Sequence, residues 1–68
     1  MSQAMTKFGR NLYIALYDKK MSQTQLSEKV GVKRETISRY ISGEKTPSSE
    51  TLIKIADALG VTVDSLVK

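Results

Sequence analysis

Three glycines mark the ends of segments that repeat their apolar residues at the spacing of an α-helix. Gly31, Gly43 and Gly60 each follow such a segment, and a glycine there can adopt the left-handed conformation that ends a helix at little cost. No segment sustains the apolar–polar alternation of a half-buried strand. The pattern therefore predicts an all-α fold within one domain, residues 1–68, with five helices at about 6–19, 23–30, 34–42, 49–59 and 63–67.

The starts of these helices carry signals of their own. Ser22, with Gln25 three residues later, has the form of a capping box, in which each side chain accepts a hydrogen bond from the other residue's backbone amide. Ser48 and Thr62 are suited to cap the fourth and fifth helices with a hydroxyl oxygen. Start signals and stop signals therefore agree on the same set of helices.

The chain contains no cysteine and no histidine among its 68 residues, which excludes disulfide bonds and removes the usual ligands of a structural zinc site. Its stability must then come from an apolar core. The same composition argues against an enzyme, because there is also no glycine-rich phosphate loop and no pair of inward-facing carboxylates. We expect no cofactor, no metal and no small-molecule ligand.

No apolar run approaches the roughly 18 residues that a membrane-spanning helix needs. The N-terminal residues contain no hydrophobic signal-peptide region. We therefore expect a soluble, cytoplasmic protein that does not bind a membrane. The chain is either a complete small protein or one part of a longer one, and the sequence leaves both open.

Charge is distributed unevenly along the chain, whose formal net charge is +4. Residues 1–45 contain nine basic and four acidic side chains, whereas residues 46–68 contain two basic and three acidic ones. Such asymmetry predicts one surface that suits a polyanion. Mild basicity is also common in small proteins, so this observation alone does not establish a nucleic-acid partner.

The third predicted helix has two distinct faces at 100° per residue. One face carries Ile37, Tyr40 and Ile41, and the other carries Arg34, Glu35, Ser38, Arg39 and Ser42. In one interpretation the polar face is simply solvated, and an i,i+4 pair of Glu35 with Arg39 contributes a few tenths of a kcal/mol. In the other, the second and third helices form a helix-turn-helix whose second helix enters the DNA major groove, where arginine recognises guanine and glutamate accepts a hydrogen bond from cytosine.

From about residue 8 to residue 67, the chain resembles the lambda-repressor-like, Cro/repressor (XRE-type) helix-turn-helix domains. The matching stretches are MSQTQLSEKVGVKRETISRYISGEKTPS and TLIKIADALGVTVDSL, which hold the family's Q-x-x-L, I-S and A-x-x-L-G-V motifs in order. The resemblance implies a five-helix, lambda-repressor-like fold. It also implies a sequence-specific transcriptional regulator, a repressor or Cro-like protein of phage or bacterial origin, that binds double-stranded operator DNA as a two-fold dimer.

The resemblance implies roles for individual residues as well. Those expected to contact DNA bases are Arg34, Glu35, Ser38 and Arg39. Those expected to contact backbone phosphate are Gln23, Lys33, Ser42, Gly43, Lys45, Thr46 and Tyr13. The expected dimer interface contains Gly60, Val61, Val63 and Ser65. Because Ser65 stands where some relatives have a large apolar residue, we expect a weak homodimer that forms mainly on DNA.

The chain departs from the family pattern at two places. Lys33 stands where many relatives have a capping serine or threonine, which costs the third helix about 1 kcal/mol; this lysine either contacts phosphate or is solvated. Leu16 and Ile41 replace an arginine and a glutamate that form a buried ion pair in many relatives. Replacing both partners with aliphatic residues can be neutral or stabilising, so the fold is expected to persist.

An alternative function is an antitoxin-like or accessory protein-interaction module with the same fold. Tyr13, Ile14 and Tyr17 lie off the apolar stripe of the first helix and offer a surface for a protein partner. We favour a different explanation, in which these side chains pack beneath the N-terminal tail. The sequence does not decide between them.

Overall fold

Five α-helices make up the computed structural model, which describes residues 6–68. In chain order they are α1 (Lys7–Asp18), α2 (Gln23–Val30), α3 (Arg34–Ser42), α4 (Ser49–Leu59) and α5 (Val63–Val67). The predicted all-α class and the helix-turn-helix of α2 and α3 are thereby confirmed. α1 is one residue shorter at each end than predicted, because Thr6 and Lys19 are its caps.

Side chains cap the first turn of four of these helices. Ser22 accepts the amide of Gln25 at 3.0 Å and Gln25 accepts the amide of Ser22 at 2.9 Å, so the predicted capping box is present. Ser48 and Thr62 accept an amide from the third residue of α4 and α5, at 3.3 and 3.1 Å. Thr6 caps α1 in the same way. These bonds satisfy amides that have no partner within their own helix.

One apolar core joins all five helices. Phe8 packs edge to face against Tyr40, with ring centroids 6.3 Å apart. Leu16 and Ile41, the aliphatic pair of α1 and α3, both lie in this core. No buried side-chain nitrogen or oxygen within residues 6–68 lacks a hydrogen-bond partner. The buried apolar residues are Leu12, Leu16, Leu26, Val30, Ile37, Tyr40, Ile41, Ile55, Ala56, Leu59 and Leu66.

α1 passes very close to the last turn of α3, and Gly9 is the residue that permits it. A Cβ atom at Gly9 would collide with the carbonyl oxygen of Ile41 and would also crowd the carbonyl of Tyr40. Thr6, at the start of α1, lies against Gly43, just beyond the end of α3. The two helices therefore meet backbone to backbone, and α1 fixes the position of α3 in the molecule.

Candidate nucleic-acid interface

A short turn at Gly31 sets α3 at an angle to α2. Gly31 has a φ of +85°, a conformation that glycine adopts without a steric penalty. Its amide and that of Val32 both donate to the carbonyl of Ser27, at 2.8 and 3.1 Å. Lys33 then has extended backbone and leads directly into α3. This turn lets the apolar sides of α2 and α3 share the core while the other side of α3 stays outside.

The four residues predicted to contact DNA bases share the exposed face of α3. The opposite face of the helix is buried through Ile37, Tyr40 and Ile41. Four groups of the kind that recognise base edges, two guanidinium, one carboxylate and one hydroxyl, are thus exposed and not needed by the fold. The exposed residues are Arg34, Glu35, Ser38 and Arg39.

The ion pair of Glu35 with Arg39, which belonged to the solvated interpretation of this face, does not form. Within residues 6–68, the one ion pair is that of Lys68 with Asp64, at 3.4 Å and largely exposed. A spacing of four residues brings two side chains within reach, but solvated rotamers compete with the pair and exposed pairs gain little. The charged ends of Glu35 and Arg39 are therefore available to an external ligand.

The start of α2 presents unpaired backbone donors near Gln23. Ser22 takes the amide of Gln25, whereas the amides of Gln23 and Thr24 have no partner within residues 6–68. First-turn amides of a helix attract anions, because they point outward at the positive end of the helix dipole. Tyr13 lines a shallow recess together with Ser22 and Gln23, so two residues predicted to contact phosphate lie side by side.

The loop after α3 folds back on the last turn of that helix. Gly43 has a φ of +89°, and the amides of Gly43, Glu44 and Lys45 all donate to the carbonyl of Arg39, at 3.0 to 3.3 Å. The hydroxyl of Ser42 donates to the same carbonyl at 3.1 Å and lies 3.3 Å from the Glu44 carboxylate.

A phosphate contact by Ser42 or by the amide of Gly43 would require these bonds to break. Lys45 and Thr46 are exposed and have no side-chain hydrogen bond within the described residues. Of the four residues predicted to contact phosphate in this region, these two are best placed to do so.

The start of α1 lies close to the loop after α3, which sequence reasoning missed. Thr6 Cγ2 lies so close to Gly43 that a Cβ there would be 3.1 Å from it. Lys7, which is exposed, follows Thr6 directly in the chain. Gly9 was the available signal, because a glycine inside a helical segment often marks a close approach of two backbones.

The four residues predicted to form a dimer lie where α4 gives way to α5. Gly60 and Ser65 are exposed, whereas Val61 and Val63 are half-buried and pack against the core. The Ser65 hydroxyl donates to the carbonyl of Thr62 at 2.7 Å. This surface therefore offers limited apolar area to a second copy.

α1 also exposes three large side chains on the side that does not face the core. Tyr13, Ile14 and Tyr17 are 55%, 51% and 80% exposed. Their expected packing beneath the N-terminal tail concerns residues 1–5, which lie outside the described range.

Two further features, a cluster of metal ligands and a membrane-spanning helix, are absent from residues 6–68. No group of three acidic, histidine or cysteine side chains among residues 6–68 is arranged to hold a metal ion. Over the same range, no helix combines the length and the apolar character that crossing a membrane requires.

Comparison with known proteins identifies this arrangement. A helix-turn-helix family model matches residues 15–66. The chain is 40% identical over 45 residues to the transcriptional repressor RstR of a cryptic CTXphi phage of Vibrio cholerae, a match that covers 66% of this chain and 40% of that repressor. The chain thus spans less than half of the length of this relative.

Two solved structures show the same fold over nearly the whole chain. The restriction-modification controller protein C.AhdI of Aeromonas hydrophila superposes with a TM-score of 0.85 at 28% identity, covering 90% of this chain and 92% of that one. The P22 c2 repressor protein, in complex with a synthetic operator, gives a TM-score of 0.85 at 28% identity and covers 98% and 97% of the two chains. The chain belongs to the Cro/C1-type (XRE) helix-turn-helix family.

Proposed function

We propose that this protein is a sequence-specific, double-stranded DNA-binding transcriptional regulator, a repressor or Cro-like protein, that inserts α3 into the major groove. The observation that carries this proposal is the exposed face of α3, which gathers two guanidinium groups, a carboxylate and a hydroxyl in one row. The P22 c2 repressor, which has the same fold, is bound to an operator and supports the proposal by analogy.

In this proposal, the side chains of α3 recognise the DNA sequence. Arg34 and Arg39 can each donate two hydrogen bonds to O6 and N7 of a guanine. Glu35 can accept a hydrogen bond from N4 of a cytosine, and Ser38 can donate or accept. Because neither Arg39 nor Glu35 is held in an ion pair within the described residues, base contacts replace water and no internal bond is lost.

The DNA backbone would be held at both ends of the helix-turn-helix. At one end, the unpaired amides of Gln23 and Thr24 face outward beside Tyr13, and Lys33 adds a charge. At the other end, Lys45 and Thr46 extend from the loop after α3. Contacts of this kind fix the register of the protein on DNA but carry no sequence information.

The proposal includes a homodimer on a two-fold operator and a cytoplasmic location. The dimer would use Gly60, Val61, Val63 and Ser65, and its limited apolar area supports association that occurs mainly on DNA. Two copies related by a two-fold axis would place their α3 helices in successive turns of the major groove, roughly 34 Å apart.

Binding-site selection from randomised duplex DNA tests the function directly. We expect an enriched sequence made of two inverted half-sites, bound about a thousandfold or more tightly than random DNA at physiological salt. The affinity should fall steeply as salt is raised, because phosphate contacts release counterions. A double variant, Arg34→Ala with Arg39→Ala, is expected to lose the preference while retaining salt-dependent binding. If no sequence is enriched at any salt concentration, the proposal is wrong.

The exposed side chains of α1 support one second candidate function, an antitoxin-like or accessory protein-interaction module. Tyr17 is 80% exposed, which is unusual for so large an aromatic side chain without a partner. Purification of the protein from its native cells would test this. A stoichiometric protein partner that is lost in Tyr17→Ala, with DNA binding that is insensitive to Arg34→Ala and Arg39→Ala, would favour this second function.

A further inference from the structure

One acidic residue stands among the residues predicted to contact phosphate. Glu44 lies between Gly43 and Lys45 in the loop after α3, and its side chain is exposed. A carboxylate in this place repels the phosphates that its neighbours are expected to bind. Glu44 forms no ion pair within residues 6–68 that could neutralise its charge. For electrostatic reasons alone, Glu44 is therefore unfavourable at this position.

The Glu44 carboxylate has a partner in Ser42, the last residue of α3. The Ser42 hydroxyl lies 3.3 Å from this carboxylate and 3.1 Å from the carbonyl oxygen of Arg39. A hydroxyl has one proton to donate, so the two acceptors share it. Ser42 thereby connects a side chain of the loop to the backbone of the last turn of α3.

The backbone bonds of the loop weaken toward Lys45. The amides of Gly43 and Glu44 donate to the carbonyl of Arg39 at 3.0 Å. The amide of Lys45 is 3.3 Å from the same oxygen. Because this oxygen has two lone pairs for all its donors, the longest of these bonds is the weakest. The bond of Ser42 with Glu44 adds a second attachment one residue before Lys45, where the loop needs it.

We propose that Ser42 is a positioning residue, which acts through Glu44 to hold the loop so that Lys45 is presented to DNA phosphate. Ser42 itself then makes no phosphate contact, in contrast to the role that the family resemblance implies. The bond orders the loop before DNA arrives, which reduces the conformational entropy lost on binding. This inference rests on the proposed function, because it assigns two residues within the same interface.

Removal of the hydroxyl gives the first test. Ser42→Ala should weaken binding to DNA with one half-site by about threefold, on selected and scrambled duplexes alike, as the loss of one modest hydrogen bond does. Ser42→Thr keeps a hydroxyl and should bind as the native protein does. Fluorescence anisotropy measures the affinities, and urea denaturation shows that each variant is folded.

Ser65→Ala is the matched control for this test. The Ser65 hydroxyl also donates to the carbonyl three residues earlier, that of Thr62 at 2.7 Å, but Ser65 lies outside the residues predicted to contact DNA. The substitution removes the same kind of bond at the other end of the chain. Binding to one half-site should therefore be unchanged.

A double-mutant cycle with Glu44 separates positioning from direct contact. Glu44→Ala removes the acceptor, so adding Ser42→Ala should cause no further loss. Each comparison is made within one background, so the charge that Glu44→Ala removes cancels. Glu44→Gln keeps an oxygen that accepts a hydrogen bond, so the threefold loss should reappear in that background. A Ser42 hydroxyl that binds phosphate directly would give the same loss in all three backgrounds.

A second cycle, with Lys45, identifies the group that is positioned. Lys45→Ala removes the charge that the loop presents, so Ser42→Ala should then have no effect. In the native background, Ser42→Ala should lower the salt slope by a part of what Lys45→Ala removes, because a misplaced lysine neutralises phosphate less fully. A direct bond from the neutral hydroxyl to phosphate would leave the salt slope unchanged.

Three results would overturn the proposal. They are native affinity in Ser42→Ala, a loss that persists beside Glu44→Ala or Lys45→Ala, and an equal loss in Ser65→Ala. A native protein without any sequence preference would instead contradict the proposed function. Because Ser42→Ala is also measured on scrambled duplexes, the positioning role is tested in that case too.

Discussion

At Gly9 the fold leaves no room for a side chain, not even for a single methyl group. At most helical positions, replacing glycine with alanine stabilises a protein by roughly 0.5–1 kcal/mol. Here the added methyl group would collide with the Ile41 carbonyl oxygen, so α1 and α3 would have to separate. We expect Gly9→Ala to lower the free energy of unfolding by about 1–2 kcal/mol, as overpacking does.

Urea denaturation measures this loss, and Asp57→Ala is a suitable control because residue 57 is an exposed interior position of α4. The control should change stability by less than about 0.5 kcal/mol. A stabilised Gly9→Ala would show that the two helices can move apart at no cost.

Lys20 occupies a conformation that suits glycine. Its φ is +54°. Its amide donates to the carbonyl of Tyr17 at 3.1 Å, and the amide of Met21 donates to the carbonyl of Leu16 at 2.9 Å. This pair of bonds is the Schellman ending, which usually places glycine at the left-handed residue. Lys20→Gly should therefore raise the free energy of unfolding by about 0.5–1 kcal/mol, the relief of strain exceeding the entropy that glycine adds to the unfolded chain.

Lys19→Gly provides the matched comparison for this gain in thermal and urea denaturation. Residue 19 has a φ of −88°, so glycine relieves no strain there and should be destabilising. Equal effects at the two positions would mean that charge, not backbone conformation, determines the result.

At the scale of single helices, α3 differs from the other four helices within residues 6–68 because it begins without a side-chain cap. Lys33 precedes it, and a lysine cannot accept the amide of the first turn. Lys33→Ser should raise the free energy of unfolding by about 1 kcal/mol. We also expect it to weaken binding to all DNA sequences alike and to reduce the magnitude of the salt slope by roughly one, since a phosphate contact is lost. An unchanged salt slope would leave Lys33 solvated, the other interpretation of this residue.

We expect α3 to contact the DNA bases and the loop that follows it to contact the phosphate backbone. Arg39→Ala should cost about 1–3 kcal/mol and relax the preference at one base pair. Lys45→Ala should weaken specific and random DNA equally and lower the salt slope by roughly one. Mobility shifts on selected and scrambled duplexes over a salt series distinguish the two. Equal losses of Arg39→Ala on both duplexes would place that side chain on the backbone.

The helices were predictable from sequence because their signals are local. The hydroxyl of Ser22 and the glycine at residue 31 act within a few residues, so type and spacing predicted both the capping box and the turn. The left-handed conformation of Lys20 was not predictable, because lysine rarely adopts it and so does not indicate it. The close approach at Gly9 depends on how α1 meets α3, which is a property of the packed molecule.

The interface was predictable in part for the same reason. Helical periodicity was enough to place Arg34 and Arg39 on one exposed face of α3. Periodicity says nothing about which bonds a side chain makes once it is there. The Glu35–Arg39 pair that the solvated interpretation included is absent, and the bonds of the Ser42 hydroxyl to its own loop were not foreseen.

At the scale of the whole molecule, the core formed by residues 6–68 contains no ionic group that holds its helices in register. Leu16 of α1 and Ile41 of α3 are 5% and 9% exposed, and both belong to the one apolar core that all five helices share. A buried ion pair must overcome the desolvation of two charges, so an aliphatic pair of similar volume is often as stable or more so. Shape and apolar burial alone then position α3 for DNA.

This account predicts a strong coupling between residues 16 and 41. Leu16→Arg alone should lower the free energy of unfolding by about 3–5 kcal/mol, because it buries a guanidinium without a partner. Ile41→Glu alone should do the same with a carboxylate. The double variant should lose no more than about 4 kcal/mol in total, since each charge then has a partner. A double-mutant cycle from urea denaturation gives the coupling energy. Additive losses would mean that these two side chains do not meet in the core, and that α1 and α3 are held together chiefly by the backbone approach at Gly9.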